Sequence, residues 1–167
     1  LADPEVELLI VAVPNDLHKE LSIQAMDAGK HVICEKPVAL DSAELEDMIE
    51  AAQRNQVIFT VHQNRRWDED FRIVQRLYEE NTLGKVFHID SRVHGSRGIP
   101  GDWRNTKEHG GGMVLDCGVH MLDQMLMLVQ KKPLSLYASL SHVTNDAVDD
   151  GFHIFLNYEN GLTCLVE

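Results

Sequence analysis

Apolar residues follow two different rhythms along this chain, and the change falls near residue 64. In the first part, Leu8 to Val13 is a continuous apolar run closed by Pro14, the pattern of a strand buried on both faces. Asn15 or Asp16 is placed to cap a following helix. Leu17, Leu21, Ala25 and Ala28 lie near helical spacing, and Gly29 suits the residue just past the helix end. His31 to Cys34 predicts a second strand, stopped by Pro37. Asp41 and Glu44 have the spacing of a capping box, and Leu45, Met48, Ile49 and Ala52 make the apolar stripe of a second helix. Val57 to Val61 is a third, β-branched strand. Strand, helix, strand, helix, strand predicts a parallel sheet with right-handed crossovers.

Beyond that point the rhythm changes. A helix is expected from about Asp68 to Glu80, with an acidic first turn and Gly84 as its stop. Lys85 to His94 alternates, with Phe87, Ile89 and Val93 on one face and His88, Asp90, Arg92 and His94 on the other. Gly95 to Gly112 reads as a polar, glycine-rich loop, and Leu115 to Val129 as a helix. Leu134 to Val143, Gly151 to Tyr158 and Leu162 to Val166 read as consecutive antiparallel strands, with Asn160-Gly161 as a hairpin turn between the last two. The expected fold class is therefore α/β: residues 1–64 form a parallel, doubly wound part, and residues 65–167 an α+β part with an open, mostly antiparallel sheet.

Composition narrows the function classes. The 167 residues carry 27 acidic and 15 basic side chains, for a net charge of -12. Such a chain repels phosphate backbones, so no nucleic-acid partner is expected. No apolar run approaches the ~20 residues that span a bilayer, and no secretory signal is visible at the first residues, so no membrane partner is expected either. Cys34, Cys117 and Cys164 are odd in number and far apart, which reads as free thiols and a cytoplasmic setting.

Several clusters carry candidate chemistry. Pro14, Asn15 and His18 follow a parallel strand, where open α/β sheets bind ligands, although the same residues also make a plain turn and cap. Glu35-Lys36-Pro37 sits at the same edge, and reads equally as a polar loop with a surface ion pair. Asp116 and His120, four apart on the expected helix after Gly110-Gly111-Gly112, share a face. There a carboxylate can orient an imidazole that titrates near neutral pH, or the two can be an ordinary helical pair. A metal set of Asp116, Cys117 and His120 with His109 fits no familiar zinc spacing, and no metal is expected. Asn64-Arg65-Arg66 and Trp103-Arg104 offer guanidinium groups and a stacking ring for a phosphate, carboxylate or sugar.

Taken together, these pieces resemble the glucose-fructose oxidoreductase/inositol dehydrogenase/MocA (Gfo/Idh/MocA) family. The resemblance rests on Val-Pro-Asn with His18, on Ala-Gly-Lys-His-Val-Ile-Cys-Glu-Lys-Pro at 28–37, on Gln63-Asn64-Arg65-Arg66, and on the run from Gly110 to Asp123. It implies the C-terminal part of a Rossmann domain followed by a substrate-binding and oligomerisation domain. It also implies hydride transfer between NAD or NADP and a secondary alcohol of a sugar, cyclitol or related polyol. By resemblance, Lys36, Asp116 and His120 are catalytic, with His120 the proton acceptor. Pro14, Asn15, His18, Glu35, Lys36, Asn64 and Arg66 match cofactor-contacting positions, while Trp103, Arg104 and His120 border the substrate.

The family's Gly-x-Gly-x-x-Gly turn has no counterpart in this sequence. The expectation is a chain truncated at both ends, beginning at the fourth strand of a 3-2-1-4-5-6 sheet and inactive alone. The strand Leu8 to Val13 would then present a bare apolar edge, and a homo-oligomer through sheet surfaces is expected. Two other readings remain: a non-catalytic relative that senses a dinucleotide or sugar, and an assembly module built on the second sheet.

Overall fold

Two sheets organise the molecule in the computed structural model, which describes residues 1–96 and 98–167. Arg97, within the expected glycine-rich loop, lies outside the described residues. The first sheet holds β1 (Leu8–Val11), β2 (His31–Cys34) and β3 (Phe59–Val61), all parallel, in the order β1-β2-β3. Its crossovers are α1 (His18–Asp27) and α2 (Ser42–Asn55). The capping box forms: Asp41 accepts from the Glu44 amide at 2.9 Å, while Glu44 reaches back to the Leu40 amide at 2.9 Å.

Two details differ from the pattern reading. The run Leu8 to Val13 is covered on one face only. Crossovers of one hand, taken in one direction, put α1 and α2 on the same side, so Val11, Val32 and Cys34 are buried while Ile10 is 63% exposed. The helices are also turned from the expected stripes. Ser22, Ala25 and Met26 of α1 and Met48, Ala51 and Ala52 of α2 face inward, while Ile49 and Leu17 lie out. Small residues on the inner faces let the two helices pack closely on the sheet and on each other.

Residues 68–81 form α3 (Glu69–Glu79), which ends at Glu80 and a left-handed Asn81 rather than at Gly84. The second sheet holds β4 (His88–Ser91), β5 (Ser135–Ser141), β6 (Gly151–Asn157) and β7 (Thr163–Val166), in the order β4-β7-β6-β5. Strands β5, β6 and β7 are antiparallel, and β4 pairs with β7 in parallel. β4 is shorter than its alternating pattern, so Phe87 and Val93 lie exposed beyond its ends and Ile89 alone packs inward.

One face of this sheet packs on α4 (Val119–Val129), where Met121, Met125 and Val129 join Phe152, Ile154, Leu156, Cys164 and Val166 in a single core. Each such buried side chain contributes about 1.5–3 kcal/mol. By length and composition the stretch Lys107–Val129 is apolar enough to cross a bilayer, which the pattern reading did not anticipate. Here its apolar face is spent on the sheet. Cys34, Cys117 and Cys164 are free, and burial pushes the Cys34 and Cys164 thiols up to about 11.

Candidate functional site

The carboxyl ends of β1 and β2 open into a cleft lined by Ala12, Val13, Pro14, Asn15, Glu35 and Lys36, with Trp103 and Arg104 as its far wall. Its volume is about 390 Å3. The near wall comes from the two turns that leave the parallel sheet. The far wall is a short 3-10 turn, Trp103–Asn105, inside the loop expected to be irregular. That turn is held by the Asp102 carboxylate, which accepts from the Arg104 amide at 2.9 Å and from its Nη1 at 2.8 Å. The guanidinium of Arg104 lies 4.4 Å from the centre of the Trp103 ring, within cation–π range.

Lys36 joins the two halves. Its Nζ donates to the Asp116 carboxylate Oδ1 at 3.0 Å and to the Asp116 carbonyl at 2.8 Å, across a separation of 80 residues. Arg104 Nε donates to the same Oδ1 at 3.2 Å. Burial raises the Asp116 carboxyl, but the hydrogen bonds and charges of Lys36 and Arg104 outweigh it and hold the group below its ordinary value. Asp116 lies on a π-helical turn, Val114–Gly118, that runs directly into α4. Such wide turns recur at functional sites.

His120, one turn on, is 6% exposed. Burial, followed by the positive charges of Lys36 and Arg65, pushes its imidazole down to about 4. The ring is therefore neutral around pH 7, and its Nδ1 has no partner among the described residues. The expected orientation of His120 by Asp116 is not what forms. The Asp116 oxygen turns instead to Lys36 and Arg104, because two cations outcompete a neutral ring for one carboxylate.

The remaining expected residues divide. Pro14 and Glu35 line the cleft as anticipated. Glu35 accepts from His62 Nδ1 at 2.7 Å; burial raises its carboxyl, but the bonds from His62 and from the Lys36 amide bring it below the usual range. Asn15 borders the cleft, yet it is buried and its Nδ2 donates to the Gly110 carbonyl at 2.8 Å, so it fastens the two halves rather than capping a helix. His18 does not reach the cleft at all. It is 1% exposed, and its ring sits between the two strand-end turns, with Nδ1 2.7 Å from the Pro37 carbonyl oxygen and Nε2 3.0 Å from that of Val13. Arg66 is committed to Asp123 through two bonds, of 2.7 and 2.5 Å. Asn64 is exposed on the 3-10 turn Asn64–Trp67.

The triple glycine serves backbone packing. A Cβ on Gly110 would lie 2.3 Å from Leu40 Cδ2, and one on Gly111 would lie 2.2 Å from the Arg104 carbonyl. His62, which acts on Glu35, was not expected from sequence, and Arg65, which acts on His120, stood out only as part of Asn64-Arg65-Arg66. Arg65 adjoins the flagged Arg66, but nothing local says which arginine faces the site.

The donor set suits the nicotinamide end of a dinucleotide. An apolar wall of Ala12, Val13 and Pro14 can face a ring, and the Glu35 carboxylate can accept from ribose hydroxyls. Comparison with known proteins agrees with that chemistry. Residues 1–63 match the model described as "Oxidoreductase family, NAD-binding Rossmann fold", and residues 71–167 match the GFO/IDH/MocA C-terminal domain. An NAD-binding protein from Listeria innocua is 55% identical over 99% of this chain and 49% of its own, with a TM-score of 0.96. The uncharacterized oxidoreductase C115.03 of Schizosaccharomyces pombe is 35% identical, over 95% of this chain and 44% of its own length. The scyllo-inositol 2-dehydrogenase (NADP(+)) IolW of Bacillus subtilis is 32% identical, over 93% of this chain and 44% of its own length. The chain thus spans about half the length of the relatives it matches.

Proposed function

This chain belongs to the GFO/IDH/MocA family of oxidoreductases, and on that premise we propose that the protein carrying it moves a hydride between NAD or NADP and a secondary alcohol of a sugar, cyclitol or related polyol. One observation carries this reading: Lys36, from the parallel sheet, reaches Asp116 of the second unit at 3.0 Å, one helical turn from a buried, neutral His120.

Pro14, Glu35 and Lys36 hold the cofactor, whose nicotinamide supplies the hydride acceptor or donor. The Lys36 ammonium lies where a developing alkoxide needs positive charge, in a partly buried setting that strengthens the interaction. Asp116 fixes that ammonium from one side, and Arg104 fixes Asp116 from the other. His120, kept neutral by its surroundings, is the group of this set suited to accept the hydroxyl proton. Trp103 and Arg104 form the wall against which the polyol stacks and hydrogen-bonds.

Self-association belongs to the same reading. The outer face of the second sheet exposes Tyr137 and its cross-strand neighbour Phe155, with ring centres 6.4 Å apart, an apolar surface that suits a second copy. Light scattering of the intact protein tests this: a dimer or larger is expected, and a monodisperse monomer at high concentration refutes it.

The catalytic reading is tested by following reduced-nicotinamide absorbance with the intact protein, NAD or NADP, and a panel of cyclitols and aldoses. Turnover is expected to fall as pH drops towards about 4, where His120 takes up a proton. Absence of turnover across the panel, or full turnover by His120→Ala, overturns the reading.

A further inference from the structure

We propose that Asp149 is a positioning residue: it anchors the start of the helix that carries Asp116 and His120, and so sets both against Lys36. The reading of Asp116 and His120 given above is its premise. The first amides of a helix have no partner within it, and the residue that satisfies them fixes where the helix begins. Here one residue from another part of the chain satisfies two. Val114 N–H donates to Asp149 Oδ2 at 2.8 Å, and Met113 N–H donates to the Asp149 carbonyl at 3.0 Å. The carboxylate is buried, and it lies at the positive end of the helix dipole.

The seat for this side chain is built into the backbone. Gly112 has φ +108°, and a Cβ there would lie 2.2 Å from Asp149 Oδ1. The third glycine of the triplet is therefore the space that Asp149 occupies. The loop that presents Asp149 is itself pinned. Asn145 Oδ1 accepts from the amides of Ala147 and Val148 at 2.7 and 3.2 Å. Thr144 Oγ1 donates to Asp150 at 2.8 Å, and the Asp150 amide donates to Ser141 at 2.9 Å.

The same loop holds the other wall of the site. Asn145 Nδ2 donates to the Asn105 carbonyl at 3.2 Å, on the turn that carries Trp103 and Arg104. Asp116 sits in the π-helical turn that starts at Val114, the residue Asp149 holds. A change of hydrogen-bond register in that first turn swings Asp116 away from Lys36, and with it the groups around His120. No local sequence signal marks Asp149, which lies 33 residues after Asp116 and is preceded by an ordinary polar loop.

Asp149→Ala and Asp149→Asn in the intact protein test this. Asparagine keeps an acceptor oxygen at the cap, and the two residues cap helices equally well. Alanine is expected to lower kcat by about tenfold to a hundredfold, as misplacement of reacting groups does, with the cofactor Kd changed by less than about threefold because Pro14 and Glu35 are untouched. Asparagine is expected to restore kcat to within about threefold of wild type. Hydrogen exchange at the Val114 amide reads the cap without turnover: it is expected to be slow in wild type and Asp149→Asn, and at least about tenfold faster in Asp149→Ala. If the alanine protein does not fold, the wild-type exchange and the asparagine kcat still decide. A Val114 amide exchanging freely in wild type, wild-type kcat in Asp149→Ala, or asparagine failing to rescue overturns the proposal. A wild-type protein without polyol turnover refutes the catalytic reading instead, and the exchange data then judge the cap alone.

Discussion

The two halves of the candidate site are held by different means. On the parallel sheet, the groups that meet the cleft sit within a few residues of a strand end: Pro14 after β1, Glu35 and Lys36 after β2. Their placement follows from chain-local geometry, and a buried His18 sits between the two turns. On the second unit, Asp116 and His120 sit on a helix whose start, orientation and electrostatics depend on Asp149, Arg104 and Lys36, all distant in sequence. The first half is a scaffold with residues at its rim, and the second becomes a site only when docked. On the proposed reading, function depends most on the contacts that cross between them.

The largest effect should come from the crossing ion pair. Lys36→Met is expected to lower kcat by about a hundredfold or more, since it removes the ammonium at the proposed alkoxide position. Steady-state rates with a responsive polyol check this, and a rate near wild type would mean that the halves work independently. Next is the acid stability set by His120. Its folded imidazole is held near 4, while the unfolded chain takes up a proton near 6.5. Stability is therefore fully present above pH 6.5 and lost as pH falls towards 4, at up to about 1.4 kcal/mol per pH unit. His120→Gln should flatten that slope in chemical-denaturation curves recorded between pH 4 and 7, and an unchanged slope would show that another group titrates.

A smaller cost is expected for the backbone fastening. Asn15→Ala leaves the buried Gly110 carbonyl without its donor and should destabilise by about 1–3 kcal/mol, seen as a lower midpoint in urea. The smallest belongs to Arg66 and Asp123, a pair with a half-exposed guanidinium. Arg66→Ala should cost no more than about 1 kcal/mol and leave cofactor affinity unchanged. A clear loss of cofactor affinity in that variant would restore Arg66 to the cofactor site.

The same contrast explains what was legible in the sequence. β2 matched its apolar run from His31 to Cys34, and the parallel order followed from alternation of strand and helix, because both are short-range patterns. The resemblance carried Lys36, Asp116 and His120 to one place, and the geometry joins Lys36 to Asp116. What periodicity could not reveal was competition. Asn15, His18 and Arg66 are residue types that suit a cofactor, yet each faces a closer partner: Gly110, the Pro37 and Val13 carbonyls, and Asp123. The Asp116–His120 spacing likewise said that the two share a face, but not that Lys36 and Arg104 would claim the carboxylate. The triple glycine announced close approach without saying of what; its neighbours are Leu40, Arg104 and Asp149.

The most direct measurement of the central claim is a double-mutant cycle on kcat/KM, with Lys36→Met and Asp116→Asn made singly and together in the intact protein. If the two residues form one functional unit across the sheets, the double variant will be no slower than the slower single variant. Losses that multiply across the cycle would contradict the account, showing that Lys36 and Asp116 act separately and that their 3.0 Å contact is structural alone.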